Sequence, residues 1–123
     1  MTIHAEGGER LLPESAAGLY AHLFQALSDP TRLAIVHHLT SGEHRVRDLV
    51  DHLGLAQSTV SVHVARLRDC GLVSTASRGR ATVVALQEPD AVAAMLDAAG
   101  AFLLQTGQTQ HCPHLDSTGE AAS

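Results

Sequence analysis

Apolar residues recur at every third or fourth position through most of the chain, a spacing that predicts helices. In the first segment, which starts at Pro13, they form two adjoining stripes on one face: Leu19, Leu23 and Ala26, then Tyr20, Phe24 and Leu27. A second segment has Asp29 as a potential N-cap, Pro30 at its first position and Gly42 near its end. The pattern therefore predicts two successive helices.

Two more helices follow, and the second of them is the more informative. A short one over about 45–53 has its apolar positions at Val46, Leu49, Val50 and Leu53, and Gly54 ends it. In "LAQSTVSVHVARLRDCGLV", Val60, Val64 and Leu67 are spaced i, i+4, i+7 as a buried row. Gln57 or Ser58 is predicted to cap this helix, and Gly71 to close it.

The remaining pattern changes from helical to alternating and back. The runs "LVSTAS" and "ATVVALQ", joined by Arg78-Gly79-Arg80, predict a β-hairpin. A last helix over 89–105 is apolar nearly all round and therefore needs a partner surface. We predict a mainly α fold with a small β-hairpin, a winged helix-turn-helix over 13–105. A flexible arm (1–12) precedes it and a flexible tail (106–123) follows.

Composition sets limits on this domain. The chain has 123 residues, of which 45% are apolar and only three are aromatic, so the core must be aliphatic. No apolar run approaches the roughly 18 residues that a membrane span needs, and the N-terminus lacks a signal pattern. We expect a cytoplasmic protein without a membrane partner, whose Cys70 and Cys112 are free or metal-bound rather than paired in a disulfide.

Charge is distributed unevenly. The net charge is −5, yet residues 45–80 hold six of the eight arginines against three aspartates, a local charge of +3. The remainder carries two arginines against ten acidic residues. A basic middle on an acidic body is typical of a polyanion-binding surface.

Three stretches carry a family resemblance: "ALSDPTRLAIVHHL", "DLVDHLGLAQSTVSVHVARLRDCGLV" and "RGRATVVAL". Over about residues 19–97 the chain resembles the ArsR/SmtB family of metal-responsive repressors. The resemblance implies a homodimer built on the first and last helices. It also implies that operator DNA is bound, and then released when a metal or thiol-reactive inducer binds. Two reading helices about 34 Å apart would require a pseudo-palindromic site.

The residues expected to contact DNA lie on the fourth helix, at the start of the third helix and in the hairpin. Short polar side chains at the start of the fourth helix suit close approach to base edges: Gln57, Ser58, Thr59 and Ser61. Arginines suited to phosphates are Arg45, Arg47 and Arg66, and Arg78 and Arg80 suit a minor groove or the backbone. His63, beside the buried row, is expected to be structural.

The tail motif "QHCPH" carries the sensor hypothesis. The family's Cys-x-Cys site is absent, because Arg45-Val46-Arg47 occupies its place, and no histidine from 64 to 110 supplies its last-helix site. The resemblance to cadmium- and lead-sensing members implies a site of three cysteine thiolates. Cys70 and Cys112 match two of these positions, and Arg66 stands at the third. That leaves Cys70 and Cys112, completed by His111 or His114, a set that suits zinc, cobalt or cadmium.

Other interpretations stay open. Thr2-Ile3-His4 would form a square-planar nickel or copper site if Met1 were removed. The two thiols would also serve a repressor that senses oxidant, arsenite or sulfur species. A winged-helix module that binds proteins rather than DNA is the third alternative. An enzyme is not expected, since no rigid pocket or oxyanion donors accompany the tail cysteine.

Overall fold

The computed structural model describes residues 14–108. In order, its elements are α1 (Glu14–Leu27), α2 (Pro30–Leu39), β1 (His44–Arg45), α3 (Val46–Leu53), α4 (Gln57–Asp69), β2 (Val73–Arg78), β3 (Ala81–Leu86) and α5 (Pro89–Gln105). The predicted arm and most of the predicted tail lie outside the described residues. Within 14–108, no helix combines the length and apolar character that crossing a bilayer requires.

The helix boundaries follow from local capping. Asp29 caps α2 by accepting a hydrogen bond from the Arg32 backbone N–H at 3.0 Å, with Pro30 in the first turn, as predicted. Gly54 ends α3 in the left-handed region, at φ 66°, which a glycine adopts without strain. The cap predicted for α4 is wrong. Ala56 occupies that position with no side-chain hydrogen bond, and Gln57 is already helical.

The wing is a three-stranded antiparallel sheet of order β1-β3-β2. Arg78 pairs with Ala81, and Gly79 at φ 64° lets the chain reverse between them, which confirms the predicted hairpin. The two-residue strand β1 was not predicted. It pairs His44 with Val84 and Arg45 with Val83, so the base of the wing is attached to the chain that enters α3.

The core lies between α2, α3, α4 and the inner face of the sheet. The predicted row of α4, Val60, Val64 and Leu67, is buried. The largest fully buried side chains of the core are Ile35, Val36, Leu39, Leu49, Val60, Leu67, Val73 and Val84. Branched aliphatic residues pack densely here, and burial of each contributes about 1.5–3 kcal/mol. This core fixes α4 relative to the wing.

The outer helices contribute less to this core than their apolar content suggests. In α1, Ala26 and Leu27 are buried, but Leu19 is 72% exposed and Phe24 55% exposed. In α5, only Val92 is buried, and Phe102 is 60% exposed. One protomer therefore leaves an apolar surface on α1 and α5. The sequence pattern predicted that the last helix needs a partner, and the family resemblance implied the same for the first helix.

Candidate nucleic-acid interface and metal-ligand residues

The first two turns of α4 present small polar side chains to solvent. Gln57, Ser58, Thr59 and Ser61 are all exposed, while Val60 between them is buried against the core. Because the buried row packs against the core, these four side chains face solvent at the N-terminal end of α4. They can make direct contact with a surface that approaches the N-terminus of α4.

Four arginines and Gln57 surround one open concavity of about 560 Å³. Arg45 and Arg47 come from the start of α3, and Arg78 and Arg80 come from the two sides of the wing turn. Three separate parts of the chain thus meet around one basic surface. The structure brings together five of the nine residues predicted for DNA contact.

Arg78 forms an ion pair with Glu43. Its Nη1 donates to Glu43 Oε2 at 2.7 Å, and its Nη2 donates to Glu43 Oε1 at 3.2 Å. This paired geometry holds the guanidinium plane against the loop that precedes β1. Arg80, by contrast, forms no ion pair within residues 14–108.

The two arginines near the end of α4 lie in different surroundings. Arg68 lines a groove with Gln57, Ser61 and Thr82, beside the wing. Arg66 lies in a separate concavity that Cys70 also lines. The predicted phosphate contact through Arg66 is therefore not supported by proximity to Gln57 or the wing. Arg68 was overlooked in the sequence. It lies on the same face of α4 as Gln57 and Ser61, because residues 4, 7 and 11 positions after Gln57 share its helical face.

His63 belongs to a structural network that joins three helices. Its Nδ1 lies 3.3 Å from Arg32 Nη1 and 3.9 Å from an Asp29 carboxylate oxygen. Arg32 also donates through Nε to the Ala26 carbonyl at 2.6 Å, at the C-terminal end of α1. A cation there stabilises the free carbonyls of the last turn. This arrangement agrees with the structural role expected for His63.

Cys70 follows the last residue of α4 and is half-buried. Its Sγ donates to the Arg66 carbonyl at 3.1 Å. It borders a concavity of about 630 Å³, which Arg32, Arg66, Asp69 and His22 also line. His22 and Asp69 lie near Cys70 only in the folded chain, but the three side chains are not arranged to hold a metal ion together.

The other predicted metal ligands, Cys112, His111 and His114, lie outside the described residues, as does Thr2-Ile3-His4. Within residues 14–108, no group of three or more His, Cys, Asp and Glu side chains is arranged to hold a metal ion. Cys70 offers one soft ligand, so a complete site requires donors from elsewhere in the chain.

Comparison with known proteins gives a consistent result. The family model "Bacterial regulatory protein, arsR family" matches residues 29–75. The regulator NmtR of Mycobacterium tuberculosis is 40% identical over 88 residues, which cover 72% of each protein. A "Probable mercury resistance operon repressor" of Streptomyces lividans is 39% identical over 69 residues, 56% of this chain. That match spans only 55% of the Streptomyces protein.

Among solved structures, a similar fold is that of a Mycobacterium bovis domain described as a homodimeric winged helix-turn-helix DNA-binding domain of a possible ArsR-family regulator. It has a TM-score of 0.67 and 22% identity, and the match covers 86% of this chain and 96% of that chain. The likeness confirms the winged-helix architecture.

Proposed function

Because the chain belongs to the arsR family of bacterial regulatory proteins, we propose that it is a homodimeric repressor whose operator is released by a divalent metal ion. The family consists of transcriptional regulators and not enzymes, which agrees with the expectation from the sequence. A repressor that binds an operator would act in the bacterial cytoplasm. The observation that carries the proposal is the meeting of Arg45, Arg47, Arg80 and Gln57 around one basic concavity.

DNA binding follows from the form and charge of this surface. The N-terminal turn of α4 enters the major groove, where the Gln57 amide pairs with an adenine edge, and short hydroxyl side chains allow close approach. Arg45 and Arg47 neutralise phosphates beside the groove, and Arg80 reaches the adjacent backbone from the wing. Each neutralised phosphate releases counterions, so affinity falls steeply as salt rises.

We propose a revised list of DNA contacts, supported by the ion pairs and grooves of the described residues. Arg80 has no acidic partner within residues 14–108 and is the wing residue available to a phosphate. Arg78 must give up Glu43 before it can bind one. Arg68 replaces Arg66 in our list, because it shares a groove with Gln57 and Ser61.

A second copy of the chain would cover the apolar faces of α1 and α5. Large exposed apolar side chains are concentrated on these two helices: Leu19, Tyr20, Phe24, Phe102 and Leu104. Exposed apolar area of this kind in one protomer is typical of an interface. A two-fold axis through this surface would present two α4 helices to one face of the duplex, and the operator would be a pseudo-palindrome.

The sensor is proposed to include Cys70, Cys112 and His111 or His114. Zinc, cadmium or cobalt suit two thiolates with one or two imidazoles, and nickel remains a further candidate. A bound ion would supply a bond between the end of α4 and the segment after α5. Arg32 and Arg66 line the same concavity and repel a cation, so one thiolate alone would not suffice. The second thiolate offsets that repulsion.

The exposure of Cys70 to an open concavity favours a second candidate function. Small inducers can reach this half-buried thiol, which suits a repressor that responds to oxidant, arsenite or sulfur species. In that case Cys70 and Cys112 react with the inducer and hold no metal. The two functions share the DNA surface and differ only in the chemistry at sulfur.

The test is selection of duplexes from a random library by the reduced full-length protein. Enrichment of two inverted half-sites about 10 base pairs apart is the expected result. Lack of any enriched sequence at low salt would refute the repressor. The enriched duplex is then titrated with Zn²⁺ and, separately, with hydrogen peroxide. Release by Zn²⁺ supports the metal sensor, and release by peroxide alone supports the thiol sensor.

A further inference from the structure

Three histidines from three different elements pack against one another. His38 of α2 is central: its ring centroid lies 4.3 Å from that of His52 in α3 and 5.0 Å from that of His44 in β1. The rings of His44 and His52 are 6.4 Å apart. We call these three residues the histidine cluster.

The histidine cluster lies where the wing meets the helices. His44 pairs with Val84 of β3, and the next residue, Arg45, pairs with Val83 and precedes α3. The contact of His44 with His38 therefore attaches the edge of the sheet to α2. The contact of His38 with His52 attaches α2 to α3.

Charged groups surround the histidine cluster but do not neutralise it. They are His37 on α2, Glu43 and Arg45 beside His44, Asp48 and Asp51 on α3, and Arg78 on β2. Glu43 is bound to Arg78 at 2.7 Å, and an Asp48 carboxylate oxygen accepts from the Arg45 backbone N–H at 3.4 Å. In residues 14–108, the histidine–carboxylate pair within 4.0 Å is His63 with Asp29, away from these rings.

Uptake of more than one proton by rings about 5 Å apart places like charges together, which is unfavourable in a partly buried setting. Burial lowers the pKa of His38 below the ordinary histidine value of 6.5, and His52, His44 and His37 lower that pKa further. The three rings are also not arranged as a metal-ligand group.

We propose that His38, His44 and His52 form a proton-sensitive joint, which holds the base of the wing on α2 and α3 while the rings are neutral and loosens in acid. The joint does not depend on DNA or on an inducer, so it stands apart from the proposed function. A lowered pKa in the folded state means that the unfolded chain binds the proton first as pH falls. The stabilisation is therefore complete above about pH 6.5 and declines below it.

The first test is an NMR titration of the ring signals in the full-length protein, kept free of metal by a chelator. His38 is expected to titrate below the ordinary histidine value of 6.5. His52→Gln should raise the His38 midpoint, because a neighbouring cation is removed. A His38 midpoint at or above 6.5, or no movement in His52→Gln, would overturn the proposal.

The second test follows the attachment of β1 by hydrogen exchange. Protection factors of amides in the β1–β3 ladder should fall more than those of α4 between about pH 7.5 and pH 5.5, because protonation of the cluster weakens the attachment of β1. His38→Gln combined with His44→Gln and His52→Gln should abolish that difference. The same difference in this variant would contradict the joint, as would binding of stoichiometric Zn²⁺ by the three rings.

Discussion

Arg78 and Glu43 form a bidentate ion pair, with N–O distances of 2.7 and 3.2 Å, which connects the end of β2 to the loop before β1. The pair lies at the edge of the basic concavity. The wing therefore carries one arginine paired with an acid, Arg78, and one that has no ion pair within residues 14–108, Arg80. Exposed ion pairs contribute only about 0.2–1 kcal/mol, and Arg78 can exchange Glu43 for a phosphate at small cost. We therefore predict that Glu43 limits how much the wing contributes to DNA affinity.

Glu43→Gln should strengthen binding to the selected operator by about two- to fivefold, because it frees Arg78 and removes a negative charge from the DNA-facing surface. Fluorescence anisotropy at several salt concentrations measures the effect. Glu88→Gln, an exposed position just before α5, is the matched control and should leave affinity unchanged. Weaker binding by Glu43→Gln would show that the pair orients the wing and does not restrain it.

Arg80→Ala should reduce operator affinity by about tenfold and lower the slope of log affinity against log salt by about one, as expected for loss of one phosphate contact. The reduction should be similar for unrelated duplexes, because phosphates carry no sequence information. Combining it with Arg78→Ala should lower affinity further. Normal binding by that double variant at all salt concentrations would refute the wing assignment.

Arg68→Ala should weaken operator binding more than Arg66→Ala. The two residues are exposed arginines two positions apart on α4, so each is the control for the other. The difference follows from their surroundings, since Arg68 lies with Gln57 and Ser61, and Arg66 lies with Cys70. A larger loss for Arg66→Ala would show that the original prediction from the sequence was correct.

Phe24→Asp combined with Phe102→Asp should convert the dimer to a folded monomer, because both side chains are mostly exposed in a single protomer and are not needed for its core. Sedimentation velocity measures the mass, and circular dichroism checks the helices. Affinity for the two-half-site operator should fall by about a hundredfold through lost avidity. Val62→Asp, an exposed apolar position on α4, should leave the dimer intact. Retention of the dimer by the double variant would place the interface elsewhere.

The sequence predicted those parts of the fold that depend on local periodicity and capping. The buried row of α4, the cap at Asp29 and the reversal at Gly79 were all correct, because each depends on residues that are close together in the sequence. Strand β1 was missed, since two residues show no alternation and their pairing with Val83 and Val84 is nonlocal.

The candidate site was predictable in kind but not in detail. Charge clustering indicated the basic surface, yet no pattern in the chain shows that Glu43 reaches Arg78, 35 residues away. Arg66 and Arg68 look equivalent in the sequence, and only the direction of each side chain on α4 separates them. The histidine cluster was hidden for the same reason, because its members come from α2, β1 and α3.

The most direct measurement is a Zn²⁺ or Cd²⁺ titration of the reduced protein on its selected operator, with thiolate charge-transfer absorption and DNA anisotropy recorded on the same sample. Absorption should rise in step with release of DNA. Affinity should fall by a factor within the usual range of allosteric coupling, about 5- to 150-fold. Cys70→Ser and Cys112→Ser should each bind DNA normally and lose the response. A full response in either variant, or metal binding without release of DNA, would contradict the account.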